Sequence, residues 1–221
     1  MILAAGITSS DFPVDSKPKC LFHYQGEVIL ERLTRVLKGV GIDEIVLVGG
    51  YKIGLIKQFN LDRDLGLKVV HNPMAESAHR KLSESWWSAW EETVRVGLQG
   101  LEDDVLLTFG DAILNEEGVR RVIDHPKRCI SLYSHGHQLF KIPGELIPKL
   151  RVYLQEVGFN SRVLGVVHNI NDFCLNNNGI KLCIGTMMEE FSNTLIRVVE
   201  DSATMCDVDS FYQTDEGKLT S

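Results

Sequence analysis

The sequence predicts an α/β protein built on a mostly parallel, doubly wound sheet, and three observations carry that reading. Short unbroken apolar runs stop at glycine-containing turns, at Gly6, at Gly49-Gly50 and at Gly110. Stretches with apolar residues three and four apart separate those runs, which is the spacing of a helix with one buried face. Strand-like and helix-like segments then alternate through the first 133 residues, the order expected of βαβ units. The 221 residues are read as one domain with halves 1–133 and 134–221.

In chain order, Met1 to Ala5 read as a buried strand of a parallel sheet, delivering its carboxyl end to the crevice where such folds bind ligands. The turn signal at Gln25-Gly26 lies between apolar flanks and predicts a small β-excursion. Apolar residues at 29, 30, 33, 36 and 37 give a helix over Val28 to Lys38, stopped by Gly39 and Gly41. Ile45 to Val48 form a second strand, Tyr51 to Asn60 a second helix, and Leu67 to Val70 a third strand. Pro73 marks a turn into a polar loop running to about Lys81, read as a lid. Leu82 to Leu98 are helical, with Trp86 and Trp90 on one face as core packing. Asp104 to Phe109 form a fourth strand; Asn115 caps a helix through Val122; Arg128 to Tyr133 form a fifth strand. Ser134 to His137 read as a polar loop, because two histidines without a third ligand make no metal site. Pro143 to Leu154 are helical, Ser161 to His168 a strand, and Asn176 to Gly179 a turn leading into Ile180 to Ile184, the last two β-segments forming a hairpin or peripheral β-element. Met187 to Glu200 read as a helix before a polar tail.

A formal charge of −7 argues against a broad nucleic-acid or anionic-membrane surface. No apolar run reaches the roughly 20 residues needed to cross a bilayer. Five cysteines, at 20, 129, 174, 183 and 206, lack C-x-x-C spacing and read as reduced thiols of a cytoplasmic protein.

Several residues are of types that handle phosphates and metal ions. Gly6 lets the backbone approach a ligand, the small residues after it leave amides free for phosphate oxygens, and a lysine a dozen residues on adds charge. Asp111, after Gly110 at a strand end, is placed to hold a divalent cation, although a generic Gly-Asp turn has the same sequence. Asp207 and Asp209 share one face of an extended segment, either as metal ligands or as a solvated acidic turn.

The runs Leu3-Ala4-Ala5-Gly6, Lys17-Pro18-Lys19-Cys20-Leu21 and Gly41 to Tyr51 resemble the nucleotidyltransferase superfamily that activates sugar 1-phosphates, phosphocholine and related acceptors, including its MobA-like NTP transferase domain. The resemblance implies a Rossmann-like sheet of the glycosyltransferase-A-like type with a small acceptor-side β-element, a nucleotide-binding half over 1–133, and an acceptor-side half with a closing metal motif over 134–221. Family loops read Leu-Ala-Ala-Gly-x-Gly-x-Arg; here Thr8 replaces the second glycine and Ser10 the arginine. The implied nucleotide-binding residues are Leu3, Ala4, Ala5, Gly6, Ser9, Ser10, Lys19, Asn72, Ser83 and Ser85, with Lys19 and Asp111 catalytic. Mg²⁺ is the implied cofactor, on Asp111, Asp209 and Asp207. The implied reaction moves a nucleoside monophosphate from a nucleoside triphosphate to a phosphorylated acceptor and releases pyrophosphate. A homodimer is compatible with it, and neither base nor acceptor is specified. Two alternatives stand beside it: a non-catalytic nucleotide-binding domain, and a glycosyltransferase using an Asp-x-Asp motif, for which Asp62-Arg63-Asp64 is the internal match.

Overall fold

A computed structural model describes residues 1–4, 17–24, 26–78, 85–134, 137–158 and 166–183. Nine strands and seven helices lie within them: β1 (Ile2–Ala4), β2 (His23–Tyr24), β3 (Glu27–Val28), α1 (Ile29–Gly39), β4 (Val46–Gly49), α2 (Ile53–Asp62), β5 (Lys68–His71), α3 (Pro73–Ala78), α4 (Ser85–Gly97), β6 (Val105–Phe109), α5 (Glu116–Asp124), β7 (Ile130–Ser134), β8 (His137–Ile142), α6 (Ile147–Gly158), α7 (Val166–Asn176) and β9 (Ile180–Cys183). Seven strands form one sheet in the order β5-β4-β1-β6-β8-β7-β9, and β2 and β3 make a separate antiparallel ribbon.

The four strands β5, β4, β1 and β6 are parallel. Along β1, β4 and β6 successive side chains enter opposite layers, which is why these runs are apolar without alternation, whereas β5 at the sheet margin leaves Lys68 and His71 exposed. Ile2, Ala4 and Leu47 pack into one core with α1, α5 and Ile56 of α2. Met1, Leu3, Val46, Val48 and Leu107 pack into a second core with α4, α6 and α7. The chain leaves β1 for β4 and β5 on one side and returns to β6 on the other. This reversal opens a crevice at the carboxyl ends of β1 and β6, the place where such sheets take ligands.

Three expectations need correction. Pro73–Ala78 is a helix, not the start of a polar loop, because Asn72 caps it: its Oδ1 accepts from the Met74 amide at 3.0 Å, and Pro73 occupies a first-turn position that needs no amide donor. Residues 79–84 lie outside the described residues. From Val166 onward the segment read as a strand is helical. Its β-branched start mimics a strand, but Ile170, Phe173 and Cys174 continue the apolar set at helical spacing and are all buried. Finally, β9 forms no hairpin; it pairs parallel to β7, Ile130 opposite Ile180 through Tyr133 opposite Cys183. The sequence reading also passed over β8, which runs antiparallel between β6 and β7. The β-element expected to be peripheral is thus an extension of the main sheet.

The β2–β3 excursion, both early helices and the Asn115 cap agree with expectation; Asn115 Oδ1 accepts from the Gly118 amide at 2.9 Å. No helix among the described residues is long and apolar enough to cross a membrane.

Candidate active site

Lys19 and Asp111, 92 residues apart, meet at the mouth of this crevice. Lys19 opens a single 3₁₀ turn, Lys19–Leu21, that follows Pro18 in an extended conformation. The turn is closed by Leu21 N–H to Pro18 O at 2.9 Å and Phe22 N–H to Lys19 O at 3.0 Å. Cys20, Leu21 and Phe22 are all buried in the first core, so apolar burial anchors the lysine.

Asp111 is placed from the other side. Gly110 N–H donates to Leu3 O at 2.8 Å, continuing the β1–β6 ladder past the strand end. A Cβ on Gly110 would stand 2.9 Å from Ala4 Cβ and 3.0 Å from Ala4 Cα, so only glycine lets this turn lie flat on β1. The next residue then projects over the crevice. Its carboxylate lies 4.0 Å from Lys19 Nζ, with the two side chains 6 % and 14 % exposed. That separation is an ion pair and exceeds hydrogen-bond length, so the carboxylate keeps lone pairs for another cation.

The charge of Asp111 also acts on Cys20, the neighbour of Lys19 in the chain. Burial, and then the charge of Asp111, pushes the Cys20 thiol up to about 12. Lys17 lies with its ammonium 5.2 Å from the centre of the Phe22 ring, and partial burial lowers its pKa.

Leu3 and Ala4 lie against Gly110, the residue before Asp111. Asn72 stands at the carboxyl end of β5, its N–H donating to Gly49 O at 2.8 Å. Its side chain is fully buried and faces inward: Nδ2 donates to Ala89 O at 3.0 Å and to Thr93 Oγ1 at 2.8 Å, fastening α3 to α4. Ala5, Gly6, Thr8, Ser9, Ser10, Ser83, Asp207 and Asp209 lie outside the described residues, and Ser85 is described only as the first residue of α4. The same holds for the side chains of Trp86, Trp87 and Trp90.

As for metal, no group of three or more potential ligands occurs among the described residues. Asp111 supplies one hard oxygen ligand of the kind Mg²⁺ or Mn²⁺ takes. The Asp-x-Asp alternative is poorly placed. Asp62 ends α2, which starts just after the carboxyl end of β4 and runs away from it. The tripeptide is therefore a helix length from the crevice, about 15 Å for ten residues.

Three relatives bear on this geometry. Over 125 residues the chain is 38 % identical to a CTP:phosphoglutamine cytidylyltransferase of Campylobacter jejuni, covering 56 % of this chain and 47 % of the relative. Over 130 residues it is 28 % identical to a CMP-5'-(3-aminopropyl)phosphonate synthase of Streptomyces rubellomurinus, covering 58 % of this chain and 19 % of the relative. The chain thus spans about half the length of the first curated relative and about a fifth of the second. The solved CTP:phosphocholine cytidylyltransferase of Streptococcus pneumoniae superposes with a TM-score of 0.59 over 96 % of both chains at 13 % identity, which speaks to the fold. Residues 1–169, spanning β1 through the first turn of α7, match the model of the MobA-like NTP transferase domain. With its crevice, its Lys19–Asp111 pair and that match over most of its length, the chain belongs to the MobA-like NTP transferase family.

Proposed function

We propose that this chain is a cytidylyltransferase, moving CMP from CTP to a small acceptor bearing a phosphate or phosphonate and releasing pyrophosphate. The observation that carries this reading is the Lys19–Asp111 pair at the strand-order reversal of a MobA-like NTP transferase sheet. The choice of CTP rests on the two curated relatives, whose names both specify cytidylyl chemistry.

In this mechanism an acceptor oxygen attacks the α-phosphorus in line with the departing pyrophosphate, and no covalent intermediate on the protein is needed. Catalysis is then positioning and neutralisation of charge. Lys19, held by its buried 3₁₀ turn, sets a fixed positive charge against the triphosphate, while the amides of residues 5–10 cradle it. Asp111, with Asp209 and Asp207, would hold Mg²⁺. That ion would supply neutralisation of the phosphate charge that grows as pyrophosphate leaves. Because Ser10 offers one neutral hydroxyl where the family loop has arginine, the phosphates lean harder on Lys19.

Incubation with each of the four nucleoside triphosphates, Mg²⁺ and a panel of phosphorylated acceptors tests this. Pyrophosphate should appear with CTP and exceed that from the other triphosphates. Pyrophosphate from none of them with any acceptor, while CTP still binds, would replace this reading with a non-catalytic nucleotide-binding domain. Sugar transfer from a preformed nucleotide sugar would replace it with a glycosyltransferase.

A further inference from the structure

Three elements of the second half meet at one corner. Cys129 is the residue before β7, Cys174 lies in the last turn of α7, and Gly179 is the residue before β9. Gly179 N–H donates to Cys174 O at 2.8 Å, turning the chain out of α7. The Ile130–Ile180 register of β7 and β9 brings the same glycine beside Cys129. The fit leaves no spare room: a Cβ on Gly179 would stand 2.5 Å from Cys174 O, 2.8 Å from Cys129 O and 3.0 Å from Cys129 Cβ. Two cysteines are therefore packed against one glycine, and their thiols are in hydrogen-bond contact, Cys174 donating to the Cys129 sulfur.

Both cysteines belong to the second core, at 3 % and 0 % exposure, and both are free thiols. Their contact makes them unequal. The hydrogen bond from Cys174 holds the Cys129 thiol below its usual range, against the effect of burial, and pushes the Cys174 thiol up, with burial adding to it. Cys129 thus forms the thiolate more readily, and Cys174 keeps the proton. A cysteine buried simply as a small apolar side chain has its thiol raised, as Cys20 has. The corner is also where the sheet is held from one side only, because β9 pairs with β7 alone among the described strands.

We propose that Cys129 and Cys174 are a dithiol switch, oxidised by a small-molecule disulfide to an internal disulfide that fastens α7 to β7 and so holds β9 on the sheet. The Cys129 thiolate attacks one sulfur of the small disulfide; a mixed disulfide forms, and the first small thiolate leaves and takes up the proton that Cys129 gave up. Cys174 then loses its proton and attacks the Cys129 sulfur, so that the internal S–S bond forms and the second small thiol leaves with that proton. Two protein thiols lose two electrons, and one small disulfide is reduced to two thiols. Because both thiols are buried, the exchange waits on an opening of the α7–β9 corner. The bond once made opposes that opening, since it links the two sides across which the corner parts.

The test treats the reduced protein with 2-hydroxyethyl disulfide, with and without urea below the unfolding transition, and reads disulfide maps by mass spectrometry, hydrogen exchange and melting. The parent should lose two hydrogen atoms without a lasting adduct, give one peptide pair joining Cys129 to Cys174, and melt higher by roughly 5 °C or more. Amides of residues 179–183 should exchange about tenfold more slowly or better, the added urea should speed the oxidation, and excess dithiothreitol should reverse it. Cys174→Ser should stop at a mixed disulfide on Cys129, and Cys129→Ser should gain far less adduct on Cys174. A bridge to Cys20, Cys183 or Cys206, a lasting adduct on the parent, or no reaction even in urea overturns the switch. So does an oxidised protein whose β9 exchanges as fast as before. Should a serine variant fail to fold, the peptide map and exchange of the parent decide alone.

Discussion

At the scale of single residues, the Lys19–Asp111 pair makes two opposed predictions. Lys19→Ala removes the fixed positive charge and should reduce CTP affinity by about 1.5–3 kcal/mol, the size of a charged hydrogen bond. Asp111→Asn should leave metal-free nucleotide binding intact and cost on the order of 10²-fold or more in turnover. Calorimetry with and without Mg²⁺ separates the two variants. Cys20 gives a pH prediction. Its thiol titrates near 12 in the fold against 9.0 in an ordinary setting, so the folded state keeps its proton where the unfolded state has lost it. Stability from this group is complete below pH 9, falls as pH rises from 9 to 12, and flattens above. Three units correspond to about 4 kcal/mol at most. Cys20→Ser should flatten that alkaline limb in urea unfolding between pH 8.5 and 10.5, and Asp111→Asn should flatten it in part. The sequence showed that Lys19 and Asp111 had suitable chemistry, but not that a 3₁₀ turn and a glycine-tight strand end bring them to 4.0 Å, because contact across 92 residues leaves no local pattern.

At the scale of elements, Asn72 joins three of them: it follows β5, caps α3 and ties both to α4. Asn72→Ala loses all three side-chain bonds and should destabilise by about 2–4 kcal/mol, with Thr93 still satisfied by Ala89 O. Asn72→Asp keeps the cap but turns a carboxylate against the Ala89 carbonyl, so it should fare no better despite conserving shape; thermal melts of the two variants decide it. The cap was readable as an Asn-Pro turn, but a turn and a helix start share that signal, and only the amide's inward bonds distinguish them. The same ambiguity hid β8, whose His137-Gln138-Leu139-Phe140-Lys141-Ile142 begins as a polar loop would. Two antiparallel neighbours, not its own propensity, make it a strand.

At the scale of the molecule, the half that reads well is the half in which apolar runs alternate regularly with amphipathic helices, so that each run is recognisable as a strand whatever it pairs with. The other half breaks that alternation: β8 runs antiparallel between β6 and β7, and β9 pairs parallel to β7 only after two consecutive helices, α6 and α7, so no repeating unit announces either strand. This difference should be measurable. Native-state hydrogen exchange should be slowest in β1, the interior of β4 and β6, which have strands on both sides, and faster in β5 and β9 at the sheet margins. Protection in β9 equal to that in β1 would mean that the whole sheet opens only as one unit.

The position of β9 also has a consequence during synthesis. Strand β7 emerges from the ribosome with β8 close behind it, but the strand that covers its outer edge begins 46 residues after β7 ends, at Ile180. At 5–20 residues per second that edge stays open for roughly 2–9 s, a row of unpaired amides and carbonyls available to any extended chain nearby. The nascent protein therefore passes through a window in which its own sheet is a template for the wrong partner, and chaperones that hold extended segments should engage it there.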